Sequence, residues 1–129
     1  LLEEHSFFKQ GDYQFNSKGV PHSENSATIV WEVISSLNTL PLLWNSYPFH
    51  PHQVNDPMSN RAPNEEELAL GKRVLVRLMK TYTPQGVIAI GKKAEKQLRA
   101  MNLDFEAVRH PSFGGKTDFQ QGLIKLLGK

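Results

Sequence analysis

The stretch that decides the fold is GVIAIGKKAEKQLRAMN, residues 86–102. Val87 to Ile90 form an unbroken apolar run, mostly β-branched and too short for a helix, and Gly91 stops it. A run without polar alternation is the pattern of a strand covered on both faces. After the glycine the period changes. Ala94, Leu98 and Met101 fall at i, i+4 and i+7, one side of a helix whose other positions are mostly Lys, Glu, Gln and Arg. Strand, glycine, helix is the first half of a parallel crossover. Its second half follows at once: DFEAVR (104–109) reads as the next strand and HPSFGGK (110–116) as a Pro/Gly-rich loop. TDFQQGLIKLLGK (117–129) reads as a last helix with Phe119, Leu123 and Leu126 inward.

Upstream, NEEELALGKRVLVRLMKTY (64–82) opens with Asn64 as cap, Glu67 as its capping-box partner, and three acids at the positive end of the helix dipole. Before it lies a long loop, residues 46–63, with four prolines. LPLLWN (40–45) is expected to be a short buried strand ending at Asn45. ENSATIVWEVISSL (24–37) carries Ala27, Val30, Trp31 and Ile34 at helical spacing behind a cap at Ser26. Residues 1–24 are polar, hold Gly11, Gly19 and Pro21, and read as a loop or arm. The alternation implies an α/β fold, a mostly parallel sheet with helices on both faces, within one domain spanning 25–129.

Composition narrows the chemistry. No cysteine is present, which excludes disulfides, thiolate metal sites, iron–sulfur ligation and cysteine nucleophiles. No apolar run nears the roughly 20 residues of a membrane-spanning helix, and no signal-like start is seen, so a soluble cytoplasmic protein is expected. Residues 1–70 hold 3 basic and 9 acidic residues while 71–129 hold 12 and 4, giving the second half a net charge of +8. That asymmetry suits a phosphate-binding face, though solvated helix surfaces give the same count.

Ligands of parallel sheets bind outside the carboxyl ends of the strands. Those ends are Asn45, Gly91 and His110. An amide that both donates and accepts can read a base edge, and an imidazole can donate to a developing oxyanion, so the two side chains together suit a nucleobase. Singly, Asn45 serves equally well to close a turn, and His110 as a hydrogen-bonded loop histidine. Lys92 and Lys93 open a helix, and Arg61, Arg109 and Lys116 border the same expected rim. His50 and His52, two apart between prolines, offer a histidine metal site as an alternative, but lack a third ligand of convincing spacing, so no metal or cofactor is expected. A further alternative is a nucleotide- or protein-binding module without chemistry, supported by AIGKKA at a strand-to-helix junction.

LLWNSYPFHPH with SNRAPNEEEL, VIAIGKKA and VRHPSFGG, in this order, resemble consecutive blocks of the uracil-DNA glycosylase superfamily over residues 26 to about 124. The resemblance implies that Asn45 reads the base and His110 steadies the departing uracil anion. It also implies that Ser112 touches a DNA phosphate and that the partner is uracil-containing DNA. Phe113, next to the HPS motif, is the candidate wedge, with Lys92, Lys116 and Arg61 as phosphate contacts; a loop aromatic packed on the core and solvated surface charges are the plain alternatives. Asn60, Arg61, Pro63 and Glu67 are similar to the thermostable prokaryotic branch, whose iron–sulfur cluster a chain without cysteine cannot hold. The family's water-positioning motif at the end of a first central strand has no counterpart here. Glu3 and Glu4 lack its strand and glycines, and Asp56 beside Pro57 suits a turn. The expectation is a glycosylase-like domain missing that strand, whose bare sheet edges would invite self-association.

Overall fold

The computed structural model describes residues 25–128. Readings that fall on residues 1–24, the arm and the two glutamates, lie outside the described residues. In chain order the elements are α1 (Asn25–Ser35), α2 (Glu65–Tyr82), β1 (Ile88–Ile90), α3 (Lys92–Ala100), β2 (Glu106–Val108) and α4 (Lys116–Leu127). The fold is α/β, and among the described residues its sheet has two parallel strands, β1 and β2, pairing Ile88 with Glu106, Ala89 with Ala107 and Ile90 with Val108. Two further backbone bonds extend the ladder, Gly91 N–H to the Val108 carbonyl and Glu106 N–H to the Val87 carbonyl, each 2.9 Å. No described helix is long and apolar enough to cross a membrane.

The pleat divides the apolar residues of β1. Ile88 and Ile90 pack against a buried cluster of Val33 and Ile34 from α1, Val108 from β2, and Phe119 and Leu123 from α4. Phe119 is completely buried there, as its place on the inward stripe of the last helix required. Ala89 points the other way and is also fully buried; Leu98 of α3, the helix that packs on β1, is buried outside the same cluster.

The α2 start is as the sequence specified. Asn64 Oδ1 accepts from Glu67 N–H and Glu67 Oε2 accepts from Asn64 N–H, both at 2.9 Å, a closed capping box. Ser26, expected to cap α1, instead lies inside its first turn, because the helix already runs from Asn25.

The larger correction concerns LPLLWN. Residues 39–45 form no strand among the described residues and join no sheet. Over residues 40–43 exposure alternates as in extended chain, with Leu40 (77%) and Leu42 (55%) outward and Leu43 packed on the core. Extension alone does not make a strand: a ladder needs a partner and free donors, and Pro41 removes one donor within the run. The expected three-stranded arrangement is therefore a two-stranded one.

Candidate functional site

The two strand ends that do converge are those of β1 and β2. Gly91 leaves β1 with φ +85°, a conformation that L side chains rarely adopt, and a Cβ there would lie 2.9 Å from the His110 Cβ. The histidine is thus seated directly on the glycine that ends the neighbouring strand. From its other side Gly115 closes in so tightly that a Cβ would collide with the His110 carbonyl oxygen and come within 2.6 Å of Arg109 Nε. Two glycines, Gly91 after β1 and Gly115 before α4, pack on His110, the first on its side chain and the second on its carbonyl oxygen.

The ring's orientation is set by Ser112. Its backbone N–H lies 3.1 Å from His110 Nδ1, and its Oγ lies 2.7 Å from the same nitrogen. A backbone N–H can only donate, so Nδ1 accepts and carries no proton, and the serine hydroxyl donates to it as well. In this geometry the neutral imidazole holds its proton on Nε2, and the exposed ring offers an N–H donor outward.

The loop after the histidine is a tight turn. Gly115 N–H donates to the Ser112 carbonyl at 3.1 Å, and the two central residues, Phe113 (φ 52°) and Gly114 (φ 76°), both have positive φ, as in a type I′ turn. A bulky aromatic in that first central position is strained, and Phe113 is also 98% exposed. Arg109 holds the turn, donating from Nη2 to the Phe113 carbonyl at 3.1 Å with Nε 3.7 Å from Asp118 Oδ2.

Asn45 stands on the unpaired segment, exposed. Its neighbour Ser46 is anchored, since the Ser46 carbonyl accepts from Gln97 Nε2 at 3.2 Å and packs against the bare Cα of Gly71 on α2. Gln97 lies six residues beyond Gly91, about 9 Å along α3 at 1.5 Å per residue. One helix therefore positions both groups, His110 at its N-cap glycine and the chain at Asn45 less than two turns further on. Two open surface hollows flank the far side of α3, one lined by Glu95, Arg99, Asn102 and Phe105 among others, the second by Lys92, Glu95 and Lys96. Neither is bordered by Asn45 or His110, and both of those side chains are exposed.

The expected cations divide by what they already hold. Lys92 Nζ reaches Glu95 Oε1 at 3.1 Å yet stays 92% exposed, and Lys116 Nζ joins Glu32 Oε2 at 2.8 Å, tying α4 to α1. Arg61 is engaged most fully: Nη1 and Nη2 take both oxygens of Glu67 at 2.8 and 2.6 Å, and Nε donates to the His52 carbonyl at 3.0 Å. The Arg61 hydrogen bonds, with the Asn64 N–H, hold the Glu67 carboxyl down to about 2, and the same pairing raises the Arg61 pKa. Arg61 thus closes the proline-rich loop.

Within that loop Asp56 has the turn role expected of it: Oδ1 accepts from Met58 N–H at 3.3 Å and its carbonyl accepts from the Ser59 hydroxyl at 2.6 Å. The His50 and His52 rings stack with centroids 5.7 Å apart, and His52 Nδ1 donates to the Gln53 carbonyl at 2.7 Å. Among the described residues no group of three His, Asp or Glu side chains is placed to hold a metal ion.

Sequence reasoning missed Gly115, Gln97 and the positive φ of Phe113. The GG pair at 114–115 was the available signal for the turn and the close approach; a glutamine bonded to a carbonyl 51 positions away left none. No family model, curated protein or solved structure matches the chain.

Proposed function

We propose that this chain is a uracil-DNA-glycosylase-like domain acting in base excision on a flipped-out uracil in DNA. The observation that carries the reading is the Ser112-fixed tautomer of His110, which leaves Nε2–H as a neutral donor at the end of a parallel strand. In N-glycosidic cleavage the C1′–N1 bond breaks, its electron pair leaves with uracil, and water adds to the sugar carbon as it loses a proton. A donor aimed at uracil O2 stabilises the anion as it forms, which makes strong protonation of the base unnecessary. No described residue is assigned as the base that takes the water's proton.

Asn45 is the base-reading amide in this proposal, able to accept from N3–H and donate to O4. Phe113 is the wedge: an exposed aromatic on a strained turn suits insertion into the stack, offsetting the few kcal/mol that base flipping costs. Lys92, Lys93 and Lys116 lie near enough in sequence to the two strand ends to contact phosphates. Ser112 already gives its hydroxyl proton to Nδ1, so a phosphate contact calls for that hydroxyl to rotate while its N–H keeps Nδ1 occupied.

The placement of Asn45 on an exposed segment outside the sheet favours a second reading, a nucleic-acid-binding module without chemistry. One experiment separates the two. A uracil-containing oligonucleotide is incubated with the full chain, treated with alkali and resolved by size. Cleavage at uracil, reduced about 10²- to 10³-fold in His110→Ala, is the expected result for loss of one donor to an oxyanion. Binding without strand scission, at any protein excess, gives the protein to the second reading.

A further inference from the structure

α2 carries a feature that the strand-end site does not use. Past the capping box, Lys72, Arg73, Arg77 and Lys80 are all exposed. None of the four side chains has an ionic or hydrogen-bonding partner among the described contacts. At 100° per residue, Arg73, Arg77 and Lys80 lie within about 60° of arc, and Lys72 flanks them. The opposite side of the helix carries half-buried Leu75 and Leu78, with Gly71 packed on Ser46, so the cations face away from the protein.

The usual reasons for such charges do not cover this stripe. The helix dipole favours cations in the last turn, which accounts for Lys80 and not for Lys72 or Arg73 two turns earlier. Solvated helix faces normally alternate sign at i+3 and i+4, as α3 does, where Glu95 takes Lys92 and Arg99. Here the corresponding pairs are alike, Arg73 with Arg77 and Arg77 with Lys80, and like charges at these spacings destabilise a helix. No acid lies three or four positions from any of the four. A repulsive stripe that the fold leaves uncompensated is relieved by a polyanion laid along it.

We infer that the exposed face of α2 from Lys72 to Lys80 is a second, sequence-independent nucleic-acid contact that runs along a phosphate backbone. From Arg73 to Lys80 the rise is about 10 Å, matching about three phosphates of one strand at 3.4 Å each. α2 leads through residues 83–87 into the start of β1, whereas His110 follows the end of the parallel β2, so the stripe extends toward the end of the sheet opposite the histidine. Its Lys72 end lies beside Gly71, which packs on Ser46 next to Asn45, so it holds phosphates flanking the reacting base and not the base itself. The choice of nucleic acid among polyanions rests on the glycosylase-like reading; the geometry of the stripe does not.

The test is the salt dependence of binding to an undamaged duplex, measured by fluorescence anisotropy between 50 and 200 mM salt, for the full chain, for Arg73→Gln/Arg77→Gln, and for Lys125→Gln as an exposed-charge control on α4. Each phosphate contact contributes about 0.9 to the slope of log K against log salt. The double variant is expected to lose about 2 from that slope, with a thermal midpoint equal to or above wild type because a like-charge pair is gone. A slope no lower than that of the Lys125→Gln control overturns the inference. So does an unchanged slope with lost binding to phosphatidylserine vesicles, which would make the stripe a membrane contact. Uracil scission separates the readings: a lowered slope in a protein that cuts no uracil keeps the stripe and removes the catalytic proposal, and scission with an unchanged slope does the reverse.

Discussion

Two loops flank the candidate site, and they are held in different ways. The 46–63 loop is closed by side chains: Arg61 spans the His52 carbonyl and the Glu67 carboxylate, and Glu67 in turn caps α2. The 110–115 turn is packed at its glycines, with Gly91 against the His110 side chain and Gly115 against the His110 carbonyl oxygen, and Arg109 adds one bond to the Phe113 carbonyl. An ion pair holds the first; close packing at glycines, with one Arg109 hydrogen bond, holds the second. A charged clamp can be titrated and tolerates small shifts, whereas a steric seat does neither, and His110 has the steric seat on its Gly91 side.

The largest effect should come from breaking that seat. Gly91→Ala places a methyl 2.9 Å from the His110 Cβ and forces an L residue to φ +85°. Left-handed backbone costs roughly 1–2 kcal/mol and overpacking a further 1–3, so a loss of about 2–5 kcal/mol is expected in urea unfolding. An unchanged midpoint would mean that Gly91 and His110 are not in contact.

The clamp should fail more gently and with a pH signature. The Glu67 carboxyl is lowered from 4.5 to about 2, so its contribution is complete above pH 4.5 and is lost as pH falls toward 2. Acid unfolding of the wild type should therefore steepen within that window. Glu67→Gln, which removes the titrating group and keeps the shape, should be less stable at pH 7 and lose less than the wild type between pH 4.5 and 2. Parallel curves for the two proteins would show that the ion pair does not hold the loop.

The legibility of the fold follows the same division. Features written in adjacent residues were readable: the capping box at Asn64 and Glu67, the switch of period at Gly91, and the inward stripe of Phe119 and Leu123. Features that depend on a distant partner were not. LPLLWN has a strand's apolar content, but nothing within six residues says whether a neighbour will pair with it. At the site, His110 was legible as a strand-end polar residue, and its partner Ser112 was two positions away. The seat formed with Gly91, nineteen positions earlier, was not, because a glycine after an apolar run reads first as a strand stop and only in three dimensions as room for another side chain. The strand expected to carry Asn45 is an unpaired segment, held at Ser46 by Gln97.

The smallest effect on stability should come from Phe113, and its sign is informative. Nothing in the protein gains from an aromatic ring that is 98% exposed, while its φ of 52° costs about 1–2 kcal/mol. Phe113→Gly relieves that strain and gives back part of the gain through the looser unfolded chain, so a net stabilisation under about 1 kcal/mol is expected from thermal unfolding. A side chain that weakens the fold at its position contributes nothing to folding and is free to serve a contact outside the protein. If that is insertion beside a flipped base, the more stable Phe113→Gly protein should bind undamaged duplex as before and yet lose the ability to raise the fluorescence of a 2-aminopurine placed opposite or next to uracil. Destabilisation instead would show that the ring packs on the protein, and the contrast between a packed seat and a tip free for contact would not hold.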